Sequence, residues 1–262
     1  MPLFLITALL GAILSGISLA IFAPYVTLRR ISYLGEALSH IAFAGIAIAI
    51  ISGMNLTLGA LIFVSAVAMG ISWLSEHHKI QEANTITIFL SLSMALGIIL
   101  ISLSRNYSFD LSSYLFGNVL LISLSELWIL GGLNVLNIAF VIFFYKELFY
   151  LSYNPEMAKV FRIRTQGVDK MFYILLAANI VFNLKSAGII LVTAQLILPA
   201  VIAFNLVQKL HIAIITAVIT AIICAIAGFA ASFALNLPTG ATIVVCQALL
   251  YALSFLFKRR FD

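Results

Sequence analysis

Charge is scarce in this chain. Lys, Arg, Asp and Glu together make up 9% of its 262 residues, with only nine acids and four histidines. Soluble domains carry about 25% charged residues. Here 64% of positions are hydrophobic and the mean hydropathy is +1.20. No soluble core hides that much apolar surface, so the sequence reads as an all-α polytopic membrane protein. Catalytic signatures are missing too. There is no G-x-x-x-x-G-K-S/T phosphate loop, no H-E-x-x-H, no G-x-S-x-G elbow and no glycine-rich dinucleotide turn. The chain is therefore read as a non-enzyme. Its two cysteines, Cys224 and Cys246, lie inside apolar runs and behave as small packing residues. No basic cluster interleaves with exposed aromatics, which argues against nucleic acid. No linker rich in Pro, Gly or Ser divides the sequence, so residues 1–262 form one domain.

Apolar runs long enough to cross hydrocarbon need roughly 20 residues. Candidates are 3–23, 38–52, 56–74, 86–103, 127–145, 171–183, 188–207, 211–233 and 240–257. Two of these, 38–52 and 171–183, are short. They either extend N-terminally or dip in and return, so the reading is eight or nine transmembrane helices. With nine crossings, one set of loops holds Arg29, Arg30, Lys79, Lys146, Lys159, Arg162, Arg164, Lys170, Lys209, Lys258, Arg259 and Arg260. The other holds Arg105 and Lys185. Basic loops stay inside, which puts the 146–170 loop and the C-terminus in the cytoplasm and the N-terminus outside. The first run has no basic residue before it and no small-residue cleavage site after it, unlike a cleavable signal.

Two loops are long. The 104–126 loop, with Arg105, Asp110, Tyr107 and Tyr114, is expected outside, with a short interfacial helix. In the 146–170 loop, Asn154 can cap a helix, Pro155 suits its first position and Glu156 suits the positive helix start. Met157, Val160 and Phe161 then share one face. Such a helix either lies in the lipid interface or docks a cytoplasmic partner.

Within Gly35-Glu36-Ala37-Leu38-Ser39-His40, Glu36 and His40 are four residues apart at the edge of an apolar run. Helical spacing puts both on one face. A carboxylate plus an imidazole suits a divalent cation such as zinc, manganese or iron. The same residues also fit a plainer arrangement, with Glu36 paired to Arg29 or Arg30 and His40 bonded between helices. Glu76, His77, His78 and Glu82 read as a solvated turn, and His211 as an interface residue. Gln195, Asn179 and Asn183 lie in apolar stretches and are expected to hydrogen-bond between helices, with lining a channel as the alternative, Gln195 above all. Asn236 precedes a turn, Leu237-Pro238-Thr239-Gly240.

The run Arg30-Ile31-Ser32-Tyr33-Leu34-Gly35-Glu36-Ala37-Leu38-Ser39-His40 resembles the signature of the zinc/manganese/iron-type ABC transporter permease family. Further blocks resemble that family in order along the chain: Ala95-Leu96-Gly97-Ile98, Tyr114-Leu115-Phe116-Gly117-Asn118, Pro155-Glu156-Met157-Ala158, Lys185 to Val192 with Leu198-Pro199-Ala200, and Leu237 to Val244. The resemblance implies an importer permease of the metal/siderophore/B12 (type II-like) architecture in the cytoplasmic membrane. It implies a second permease copy, two cytoplasmic ATPase subunits and an extracytoplasmic metal-binding protein. The ion is cargo, and no permanently bound cofactor is implied. Glu36 and His40 fall at the family's acidic and histidine positions, as metal contacts in the path. Pro155, Glu156 and Ala158 match the segment that touches the ATPase. There are departures: Glu36 where Asp is usual, Ala44 where Pro is common, Arg162 where Gly is frequent, and Asn236 where an acid is common. Two other functions share parts of this pattern. A permease for iron–siderophore complexes or vitamin B12 needs a wide cavity and no coordinating pair. An ion-coupled secondary transporter needs no ATPase and often has two similar halves, which this sequence lacks.

Overall fold

The computed structural model describes residues 3–78, 82–103, 117, 122–163 and 165–257. All regular structure among them is helical. α1 (Leu3–Ala20) continues after a short break into α2 (Ala23–Leu28), followed by α3 (Leu34–Ser52), α4 (Leu56–His78) and α5 (Glu82–Leu103). Then come α6 (Leu124–Phe143), the short α7 (Tyr145–Tyr153) and α8 (Pro155–Val160), and the long α9 (Gln166–Gln195). α10 (Leu198–Leu206), α11 (Leu210–Leu235) and α12 (Thr239–Ser254) complete the bundle, with a 3₁₀ turn at Phe255–Phe257. Lys79, Lys258, Arg259 and Arg260 lie outside the described residues. So do Arg105, Tyr107, Asp110, Tyr114 and the interfacial helix expected around them. The backbone of Glu76, His77 and His78 is the last turn of α4, and Glu82 opens α5, so these residues belong to helix ends rather than to the turn the sequence suggested.

Eight helical stretches among the described residues are long and apolar enough to cross a membrane, and the sixth, Gln166–Leu206, has 41 residues. At 1.5 Å per residue it would be about 60 Å long, twice the roughly 30 Å of hydrocarbon. It is folded back instead. Gly188 has φ 74° and ψ 167°, a conformation open to glycine and strained for other residues. Packing fixes where each limb ends. Near its start Asp169 pairs with Arg29, beside the end of the first span. Sixteen residues on, Lys185 pairs at 2.6 Å with Glu126, at the start of α6 and the opposite end of the bundle. The second limb returns, since α10 packs against α2 and Asn205 Nδ2 donates to Ser254 Oγ near the end of α12. The eight stretches therefore make nine passes, with 171–183 and 188–207 as separate crossings. Both short candidate spans extend N-terminally, to Leu34 and to Gln166.

The polar residues within the spans act as stitches. Asn137 and Asn179 exchange amide hydrogen bonds at 2.7 and 3.1 Å across α6 and α9. Asn183 Nδ2 donates to Ser18 Oγ and Asn134 Nδ2 to the Leu14 carbonyl, both on α1. In hydrocarbon an unpaired amide is costly, so such pairs fix helix register. α1, α3 and α9 form the interior, while α5 and α12 are peripheral and present large apolar side chains outward.

Candidate metal site on the open face of the third helix

α3 begins just after Arg30, whose φ of 61° turns the chain out of α2. Its first turn carries Glu36, a favourable place for a negative charge at the positive helix end. Small residues dominate its packed faces. Gly35, Ala37, Ser39, Ala42, Ala44, Gly45 and Ala49 are all buried, letting α4, α5 and α9 approach closely. The Ser39 hydroxyl donates back to the Gly35 carbonyl at 2.8 Å. In its first two turns the open side is one stripe: Glu36 is exposed, and His40 and Phe43 are half-buried, one and two turns further on; Ile48 and Ile51 are exposed toward the other end. The structure thus brings Glu36 and His40 together as helix geometry requires. Neither has an ion pair among the described residues, and Arg29 is engaged with Asp169 rather than with Glu36.

An exposed carboxylate in the first turn of a buried membrane helix is unusual. Facing lipid at the centre of a span costs about 2.5–3.5 kcal/mol on insertion scales, and such residues face protein or a water-filled cavity. One oxygen and one nitrogen donor from a single chain are too few to enclose a divalent cation. Among the described residues no group of three or more His, Cys, Asp or Glu side chains gathers in one place. A cation held by this pair would need further donors from elsewhere.

The other candidates are placed elsewhere. Gln195 is fully buried and its Oε1 accepts from Gln247 Nε2 at 2.9 Å. Its neighbour Leu196 packs on Gly35, so Gln195 lies close behind the α3 stripe, facing inward rather than onto the open face. Asn236 is exposed at the C-terminal end of α11, at the end of the bundle away from Arg29. Its φ of 53° caps the helix in the left-handed region, where Asn is tolerated. Arg162 has φ 52°, a left-handed backbone that glycine adopts more easily than arginine. On α8, Asn154 Oδ1 accepts from the Met157 N–H, giving the expected N-terminal cap. Ala158 is buried, Glu156 is exposed, and Met157, Val160 and Phe161 point outward. Pro155 opens the helix. His211 is exposed at the start of α11.

The structure adds a cluster that local sequence does not reveal. Arg29 Nη1 meets Asp169 Oδ1 at 2.6 Å, Asp169 Oδ2 accepts from Ser72 Oγ at 2.8 Å, and Arg29 Nη2 approaches the Tyr173 hydroxyl at 3.5 Å. The partners lie 140 and 97 residues apart, so no spacing rule could pair them.

The profile of the ABC 3 transport family matches residues 1–258. The chain belongs to that family. This ABC 3 chain is 36% identical over 254 residues to the manganese transport system membrane protein MntC of Listeria monocytogenes, covering 97% of this chain and 90% of that one. It is 29% identical over 255 residues to the high-affinity zinc uptake system membrane protein ZnuB of Haemophilus influenzae, covering 96% and 97%. Its fold is similar to that in the structure of PsaBC from Streptococcus pneumoniae in complex with Fab, with a TM-score of 0.84, 28% identity, and 98% and 93% of the two chains covered. As an ABC 3 member it is a membrane-embedded transport subunit, and its all-helical bundle is that of the family.

Proposed function

We propose that this chain is the permease subunit of an ABC importer for a divalent metal ion, manganese or zinc, and that two copies enclose the path. The relatives named for manganese and zinc transport support the cargo class. The observation that carries the site is the open polar stripe at the start of α3, where Glu36 stands exposed and His40 follows one turn later. Two such stripes facing one another would supply two carboxylates and two imidazoles, enough to replace much of a cation's hydration shell. They would also remove both carboxylates from lipid. Ligands held on separate chains can part as the chains move, which lets the ion go.

The ATPase partner docks on the α7–α8 region. Its Met157, Val160 and Phe161 side chains are exposed on the face that the basic loops assign to the cytoplasm. Hydrolysis takes place in two separate ATPase subunits, and an extracytoplasmic metal-binding protein delivers the ion at the opposite face of the cytoplasmic membrane. Asn236 lies on that delivery face and Gln195 behind the ligand stripe, so both border the route rather than hold the ion.

The test is uptake of radioactive manganese and zinc into proteoliposomes containing the assembled importer. Glu36→Ala and His40→Ala should each lower uptake by more than about tenfold, the loss expected when one of few ligands is removed, with assembly intact. Wild-type uptake by both variants would refute the site. Uptake of metal chelates with no competition from free metal would refute the cargo class.

A further inference from the structure

The Arg29–Asp169 contact is built as a joint rather than a surface ion pair. Asp169 lies in the first turn of α9, directly after the α7–α8 segment. Arg29 caps α2 and lies seven residues before Glu36. The pair is largely enclosed, with the two side chains 8% and 18% exposed. The guanidinium carbon sits 5.1 Å from the Phe172 ring centre and 5.2 Å from that of Tyr173, both on α9. Phe172 in turn meets Phe22 and Tyr25 edge-on, and all four rings are fully buried. Ser72 ties the free carboxylate oxygen to α4. Charge, hydrogen bonds and ring stacking thus lock the start of α9 to the end of α2.

From Arg29 to the ligands the chain has little slack. The Arg30 N–H donates to Thr27, that of Ile31 to Val26, that of Leu34 to Ile31 and that of Ala37 to Tyr33, so four backbone hydrogen bonds tie the connection from α2 into α3. On the other side, the Ile163 N–H donates to the Ala158 carbonyl at the end of α8, and the Asp169 N–H donates to the Thr165 carbonyl at the start of α9. Arg29 and Asp169 thus stand paired where the chain coming from α8 enters α9 and where the chain leaves α2 toward α3.

We infer that Arg29 and Asp169 are positioning residues that transmit movement of the α8 docking segment to Glu36 and His40. This rests on the proposed function above. Neither residue touches the ion. Their loss should uncouple transport from hydrolysis rather than abolish either site, because the ligand stripe and the docking face each remain whole.

The experiment uses the complete importer in proteoliposomes, scored as metal ions moved per ATP hydrolysed and normalised to assembled complex. Asp169→Asn keeps the side-chain shape and an oxygen for Ser72 while removing the charge. It should lower the ratio about tenfold, within the usual range of coupling between sites, with hydrolysis close to wild type. Arg29→Lys keeps the charge but loses the planar stack and fork, and should give a smaller loss in the same ratio. It decides the matter if Asp169→Asn fails to assemble. A merely structural role would lower transport and hydrolysis together and leave the ratio unchanged. An unchanged ratio in the assembled variant overturns the inference. Failure of the wild-type importer to move metal at all would instead refute the function on which the inference rests.

Discussion

Two glycines in different helices should respond to alanine with opposite signs. At Gly45 in α3, a Cβ would stand 2.7 Å from the Ala60 Cα, 3.0 Å from the Phe63 Cβ and 3.1 Å from the Gly59 carbonyl oxygen. The first and last are backbone atoms of α4 and cannot rotate away. Ordinary contact is 3.4–4 Å, so α3 and α4 must part by about 1 Å, a gap that forfeits a quarter to a half of the dispersion well along that seam. Overpacking costs about 1–3 kcal/mol. Alanine's better helix propensity returns up to about 1 kcal/mol. The clash wins, leaving Gly45→Ala about 1–2 kcal/mol less stable. At roughly 2–4 °C per kcal/mol for a chain of this size, its melting temperature falls by about 2–8 °C. At Gly131 in α6, a new Cβ meets nothing within 4 Å. Only the propensity gain acts there, and Gly131→Ala should melt about 1–3 °C higher. The assay is loss of the monodisperse size-exclusion peak of the detergent-purified protein on heating. Shifts of the same sign at both positions, or a Gly45→Ala protein as stable as wild type, would refute the claim that backbone contact with α4 sets the position of α3 and its ligands.

Replacing Asn179 by Leu strands the Asn137 amide between α6 and α9, at a cost of about 1–3 kcal/mol. The double change Asn137→Leu/Asn179→Leu leaves no orphan and should cost less than the sum of the single changes, read as a double-mutant cycle on melting temperature. Val160 is 72% exposed on the proposed docking face. Val160→Asp should therefore leave the permease's own stability within about 0.5 kcal/mol of wild type while reducing co-purification of the ATPase subunit.

Much of this architecture was legible in the sequence, because hydrocarbon enforces a simple rule: about 20 apolar residues per crossing. The Asn154 cap and the Glu36–His40 stripe were legible too, since both depend only on residues three or four apart. The ninth crossing was ambiguous. The interruption Lys185-Ser186-Ala187-Gly188 sits inside a stretch that stays helical on both sides, and only the pairing of Lys185 with Glu126 and of Asp169 with Arg29 reveals a chain that doubles back. The partner of Arg29 was not legible. Glu36 is its nearest acid in sequence, but the buried partner comes from 140 residues away because α9 packs beside α2. Asn236 drew attention as a replaced acid, whereas its left-handed backbone gives it a local reason to be Asn. Gln195 was expected between helices and is found there, bonded to Gln247, a partner 52 residues distant.

The central claim is that a divalent ion passes between two α3 stripes and is held there by Glu36 and His40. Anomalous diffraction from crystals of the assembled permease loaded with zinc tests it most directly. The account predicts a peak between the two copies within about 2.0–2.2 Å of a His40 ring nitrogen and a Glu36 carboxylate oxygen. A peak elsewhere in the bundle, with Glu36 and His40 turned toward lipid, would contradict it.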